Sequence, residues 1–272
     1  SSSFRRKASL EKCLKEAETH LAELKAEAET DPGAEERRVQ AAKERAARER
    51  KERIEAALAE RDTLVPKMER RKKGSSENAR ASTTDPECRK MKMADGGFRP
   101  AYNVQFATTS GSLIIVGVDV TNAGTDGGQM QPMVAQIEQR YSQRPQEYLA
   151  DGSFVSLDDI TALGRNGVTT YLPIMEEEKK RAKGVDPHAP LKGDSKEVVE
   201  WRRRMGEPSS QTIFRDRSAA AEFPNAGCRN RGLRQFNVRG MLKAKAVALW
   251  HALAHNFQRL LDLKRRSRLE VT

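Results

Sequence analysis

Three acidic residues stand where the sequence passes from one element to the next. Asp85 follows a short strand-like run, Asp151 closes Glu147-Tyr148-Leu149-Ala150-Asp151, and Glu222 ends the Ala-rich helical stretch Arg217-Ser218-Ala219-Ala220-Ala221-Glu222. If the strands before Asp85 and Asp151 are neighbours in one sheet, their carboxylates converge at one end of it, and a helix packed across that sheet can present Glu222 to both. Such a cage of oxygen donors suits hard dications. Two Mg2+ ions about 3.5 to 4 Å apart, bridged by carboxylates, activate an attacking oxygen and stabilise a leaving oxygen in phosphoryl displacement, and no protein nucleophile is needed.

Each of the three also has a duller reading. Asp85 before Pro86 and Asp151 before Gly152 are ordinary turn formers, and Glu222 among alanines is an ordinary exposed helical residue. Asp119 is the rival first carboxylate, because it lies inside an apolar run where an unpaired charge is costly. Asp126, between Thr125 and Gly127-Gly128, is expected to cap the helix that follows. His251 and His255 are four apart on a helix, the spacing of a metal pair, but no Glu stands beside His251, so a packed structural pair is expected. Trp201 and Trp250 are expected to pack, the second in the core. Arg229, Arg231, Arg234 and Arg239 crowd into eleven positions just after Glu222, which favours contact with a DNA backbone over simple solvation.

The elements that must position these residues fall into two parts. Residues 1–73 are almost wholly Ala, Glu, Lys, Arg and Leu, a charged helical arm, with Leu10, Leu14, Leu21 and Leu24 as its apolar stripe. Thr30-Asp31-Pro32-Gly33 interrupts the arm, so two helices are expected as an antiparallel hairpin or coiled coil. The narrow, Ala-rich stripe suggests that the arm is dispensable for folding of the rest. Residues 74–272 form the expected catalytic domain. Strands are read at 79–84, 102–106, 113–120, 147–150 and 168–172, the third as a central buried strand, and the first three as a meander. Helices are read at 130–141, 157–163, near 196–205, around 212–228 and at 242–263. The charged, Pro-containing stretch at about 175–208 reads as an insertion.

Composition narrows the partners. The 272 residues carry 50 Lys and Arg against 39 Asp and Glu, a formal charge of +11 with pI near 9.7, so a polyanion is the expected partner and small acidic substrates are disfavoured. Hydrophobic residues are 37% and charged residues 33%, so part of the chain must be solvated helix or linker. The sequence has no apolar run of membrane-spanning length and opens on no secretory signal, which gives the expectation of a soluble cytoplasmic protein. Cys13, Cys88 and Cys228 lack metal-site or disulfide spacing and are expected as reduced thiols.

A resemblance joins these observations. Ser82-Thr83-Thr84-Asp85-Pro86, Tyr102-Asn103-Val104-Gln105, Val120-Thr121-Asn122, Leu149-Ala150-Asp151-Gly152, Arg231-Gly232-Leu233 and Val238-Arg239-Gly240 resemble, in order and spacing, the catalytic domain of a bacterial insertion-sequence transposase of the DDE type. The match runs from about Ser82 to Phe257. It implies an α/β, ribonuclease-H-like mixed sheet flanked by helices, preceded here by the charged arm. It further implies that Asp85, Asp151 and Glu222, 66 and 71 positions apart, are the catalytic triad and hold Mg2+, with Mn2+ as substitute. Phe214, Arg217, Glu222 and Arg229 stand where the family carries Tyr, Arg, Glu and a Lys or Arg, which puts Arg217 with the other arginines on DNA. Phe214 lacks the family hydroxyl, and Asp151-Gly152-Ser153-Phe154 departs slightly from the commoner Asp-Gly-Gly-Tyr. Family members carry an N-terminal DNA-binding region, so this chain reads as N-terminally truncated.

The implied activity is metal-dependent cleavage of element ends and strand transfer into target DNA. Partners are double-stranded DNA and a possible second copy of the chain, with no membrane. Two competitors stay open: a nuclease of the same fold without strand transfer, and a non-catalytic DNA-binding or oligomerisation remnant.

Overall fold

The computed structural model describes residues 3–30, 34–93 and 95–269, and no side chain at 28–30, 34–36, 216–219, 268 or 269. The chain is mixed α/β and 58% helical, with small separate sheets. It divides into two compact units, residues 1–103 with 237–244 and residues 104–236 with 245–272.

In the first unit, strand β1 (Phe4–Arg5) leads into helices α1 (Lys7–Thr30) and α2 (Ala34–Arg71). The two helices run antiparallel: Leu24 accepts a hydrogen bond from Gln40 Nε2 at 2.6 Å, Glu18 meets Lys51 Nζ at 3.2 Å, and Leu10 packs on Ala57 and Leu58. The expected break at Asp31-Pro32-Gly33 lies outside the described residues. Only small or spaced apolar side chains fill the seam, with Ala17, Ala47, Ile54 and Ala57 buried, as the Ala-rich stripe dictates.

The arm is nonetheless integral to its unit. Strand β2 (Ala81–Ser82) pairs antiparallel with β1, Phe4 opposite Ser82 and Arg5 opposite Ala81, and Ala81 completes the cluster of Leu10 and Ala57. The structure groups residues 1–73 with 74–103 and 237–244 in one unit rather than setting them apart, and the pairing that links them left no mark in the apolar pattern because β1 is only two residues long. Strands β3 (Arg89–Lys92) and β4 (Phe98–Ala101) then form an antiparallel ribbon, anchored by an Arg89–Glu60 ion pair at 2.7 Å.

In the second unit, β5 (Asn103–Thr108) pairs with β6 (Ile115–Thr121) across the connection 109–114. Helix α3 (Met130–Tyr141) follows. Strands β7 (Glu147–Leu149) and β8 (Thr169–Tyr171) are parallel, and the connection between them is helix α4 (Leu157–Arg165). Helices α5 (Glu177–Ala182), α6 (Lys196–Met205), α7 (Pro208–Asn230) and α8 (Met241–Leu269) complete the chain, the first turn of α8 belonging to the first unit.

The meander and the pairing of the strands before Asp85 and Asp151 are not what the hydrogen bonds define. Among the described residues β2 pairs with β1, β5 with β6 and β7 with β8. The run at 113–120 is correspondingly an edge strand rather than a central one. Its backbone is satisfied by side-chain amides: Gln136 of α3 accepts from Val118 N at 2.9 Å and donates to Val118 O at 3.0 Å, and Asn256 of α8 does the same for Ile115 at 2.8 Å each way. Two amides thus do for β6 what flanking strands would do, and Ile115, Gly117 and Val118 stay buried without such strands. Gly117 lies where α3 crosses β6, and a Cβ there would force the Met133 side chain to move and press on Ala107.

The stretch read as an insertion supplies core. Val198, Trp201 and Met205 of α6 pack with Ile160 and Leu163 of α4 and with Leu172, and Trp201 Nε1 donates to Leu172 O at 3.1 Å. Trp250, expected in the core, is 70% exposed on α8. No helix among the described residues is long and apolar enough to cross a membrane.

Candidate active site

Asp85 is fixed within the first unit. The buried Ser82 hydroxyl accepts from the backbone N–H of Thr84 and of Asp85, both at 3.2 Å, a local turn of the kind short hydroxyl side chains form. The Asp85 carboxylate accepts from Tyr102 Oη at 2.8 Å and from Gly240 N at 3.1 Å, both on Oδ2. Two residues on, Glu87 accepts from Met241 N at 2.8 Å. The two carboxylates therefore sit on the unpaired N–H groups that open α8, where the helix dipole favours negative charge. Burial, reinforced by the Asp85 carboxylate, pushes the Tyr102 phenol far above its ordinary range, so Tyr102 remains a donor.

Asp151 lies in the second unit, just past the carboxyl end of β7, where open α/β sheets commonly bind ligands. Its carboxylate caps the tight turn 152–154 by accepting from Ser153 N at 2.8 Å, and it also takes a very short hydrogen bond from the Ser153 hydroxyl. Asp126 reaches the same hydroxyl at 2.8 Å with one oxygen and accepts from Gln105 Nε2 at 3.0 Å with the other. Asp126 is thus not the cap of α3. That position is served by Asp159 of α4, 2% exposed, which accepts from Met130 N at 3.1 Å and Gln131 Nε2 at 2.7 Å. Sequence reasoning missed Ser153 and misassigned Asp126. The one available signal was Asp126 itself, flanked by glycines that let its loop approach the turn after β7.

Glu222 is exposed on α7. Its stretch of helix is held by a side chain from β5. Pro224 has no N–H for the carbonyl of Ala220 four residues earlier, and Thr108 Oγ1 donates to that carbonyl instead, at 3.1 Å. Asp119, the rival carboxylate, is accounted for by an ion pair with Lys245 at 2.9 Å. His255 is structural as expected: Nε2 donates to Leu113 O at 2.9 Å, which leaves Nδ1 to accept from Arg231 Nη2 at 3.4 Å. Arg229 and Arg234 are exposed beside it, Arg239 is exposed in the first unit, and the Arg217 side chain lies outside the described residues.

The structure therefore brings Asp151 to Asp126 and Ser153, and Asp85 to Tyr102 and the start of α8. Among the described residues there is no group of three or more His, Cys, Asp or Glu side chains arranged to hold a metal ion. The donors at Asp151 are all oxygens, the type that Mg2+ takes. The Ser153 hydroxyl lies between the two carboxylates, and each accepts from a further donor, Asp126 from Gln105 Nε2 and Asp151 from Ser153 N. The residues present thus fit a hard dication in donor chemistry.

No family model matches the chain, and no curated protein or solved structure is significantly similar to it.

Proposed function

We propose that the chain is a DDE-type DNA transposase whose ribonuclease-H-like catalytic domain carries Asp85, Asp151 and Glu222 as its working carboxylates. The observation that carries the reading is the convergence of Asp126 and Asp151 on Ser153 at the carboxyl end of β7, an anionic oxygen cluster on a basic chain. Bound Mg2+ would supply charge neutralisation of the phosphodiester and activation of the attacking oxygen. Asp85, Asp151 and Glu222 would hold it. Ser153 fixes the Asp151 carboxylate, and Tyr102 and Gly240 fix that of Asp85 through its Oδ2. The exposed Arg229, Arg231, Arg234 and Arg239 would contact DNA phosphates and position the strand, with double-stranded DNA, and a second copy of the chain, as partners.

A second reading is favoured by the Asp85 contacts. Its carboxylate has a sufficient structural role on the N–H of Gly240, as expected of a non-catalytic DNA-binding remnant. The two readings, and that of a simple nuclease, separate in one assay. The full chain is incubated with Mg2+ and a supercoiled plasmid bearing the terminal sequences that flank its gene. Joined products select the transposase, cut products alone the nuclease, and binding without either the remnant.

A further inference from the structure

We propose that the β3–β4 ribbon is a DNA-contacting arm that lays the face formed by Lys90, Lys92 and Phe98 into the major groove of duplex DNA. This rests on the DNA-processing reading above and adds a surface that none of the arginines considered so far belongs to.

The register defines the face. Lys90 stands opposite Pro100 and Lys92 opposite Phe98, so these four side chains share one side of the ribbon, and Arg89, Met91, Arg99 and Ala101 share the other. All four on the first side are exposed, Phe98 by 54%. The cations of the second side are already matched: Arg99 meets Asp95 at 2.5 Å, and Arg89 turns back to Glu60 and to the carbonyls of Pro86, Glu87 and Cys88. Lys90 and Lys92 have no carboxylate partner among the described residues, and Lys90 Nζ lies 5.2 Å from the centre of the Phe98 ring. From Arg89 to Ala101 four cations face one acid, a net +3 in thirteen residues.

Lysines on an exposed ribbon also guard it against pairing with other edges. That role accounts for the charges but not for an aromatic ring held open to solvent between them. A polyanion with apolar patches in its grooves accounts for both, because the lysines reach phosphates while the ring meets thymine methyls or base edges. Size agrees: two strands about 5 Å apart with their side chains fit a groove about 12 Å wide, which admits a two-stranded ribbon. No further strand pairs with either edge among the described residues.

The test measures the affinity of the full chain for a 30-bp duplex by fluorescence anisotropy over a series of salt concentrations. Lys90→Gln with Lys92→Gln should lower the slope of log affinity against log salt by about 2, and Lys92→Gln alone by about 1, as expected for lost phosphate contacts. Phe98→Ala should weaken binding several-fold at every salt with the slope unchanged. Lys12→Gln with Lys15→Gln on α1 is the control for loss of charge as such and should leave the slope as it is. Thermal melts establish that each variant is folded. A lysine variant with the parental slope, Phe98→Ala with the parental affinity, or a control that loses as much overturns the ribbon while leaving the DNA-processing reading in place. A parent chain that does not bind the duplex at all overturns both.

Discussion

Asp126 and Asp151 meet at one hydroxyl, that of Ser153, although 25 positions separate them in the chain. The contact ties the loop before α3 to the turn after β7. It also brings two carboxylates to one hydroxyl, each of them held by a further donor, Gln105 Nε2 for Asp126 and Ser153 N for Asp151.

Ser153→Ala removes the group that orients Asp151. The half-saturating Mg2+ concentration for DNA cleavage should rise about tenfold, the usual scale for losing a partner behind a metal-binding carboxylate. An Mg2+ titration of the cleavage rate gives this directly. An unchanged midpoint makes Ser153 a bystander.

The arm should not be removable. Deleting residues 1–73 strips β2 of its partner strand and Ala81 of Leu10 and Ala57, and it frees Arg89 from Glu60. The truncated chain should lose the cooperative melting of the first unit while the second unit still melts cooperatively, as followed by calorimetry. Retention of both transitions would show the arm to be an appendage after all.

Trp201→Ala should cost about 3 to 5 kcal/mol, the range for emptying a large aromatic site in a core, with the added loss of the hydrogen bond to Leu172 O. Chemical denaturation followed by circular dichroism measures it. A loss below about 1 kcal/mol would return the 175–208 stretch to the status of an insertion outside the core.

Cys88 should be unreactive in the native chain. Burial, aided by the Asp85 charge, pushes its thiol up to about 11. Iodoacetamide at pH 8 should modify half-buried Cys13 and spare Cys88, with Cys88 labelling rising as the pH approaches 11. The sign for stability follows. Because the folded thiol holds its proton above the unfolded value of 9.0, its contribution is fully present below about pH 9 and is lost as the pH rises toward 11. Stability of the first unit that is flat across this window contradicts the buried placement.

Long periodic segments were legible in the sequence: α3, α6 and the two arm helices fall where residue spacing puts them, because a helix is a local object. Strand partners were not. β1 is two residues long, and β6 carries the apolar run of a central strand while its free backbone groups are met by Gln136 and Asn256, side chains whose role depends wholly on tertiary placement. Trp250 misled for a related reason, since an apolar residue within a helical stripe says nothing of which stripe is covered. At the candidate site, the turn residues Asp85 and Asp151 could be picked out by type and neighbours. The approach of Asp126 to Ser153 could not, because its Thr-Asp-Gly-Gly context reads equally as a helix cap.

The central claim is tested most directly by comparing Mg2+-dependent cleavage of element-end DNA by the parent chain and by Asp151→Asn at equal DNA occupancy. The account predicts a loss of at least ~10³-fold, about 4 kcal/mol of transition-state stabilisation, with binding unchanged within about twofold, since the carboxylate holds charge at the reacting phosphate and makes few backbone contacts. Cleavage by Asp151→Asn at the parental rate would contradict it.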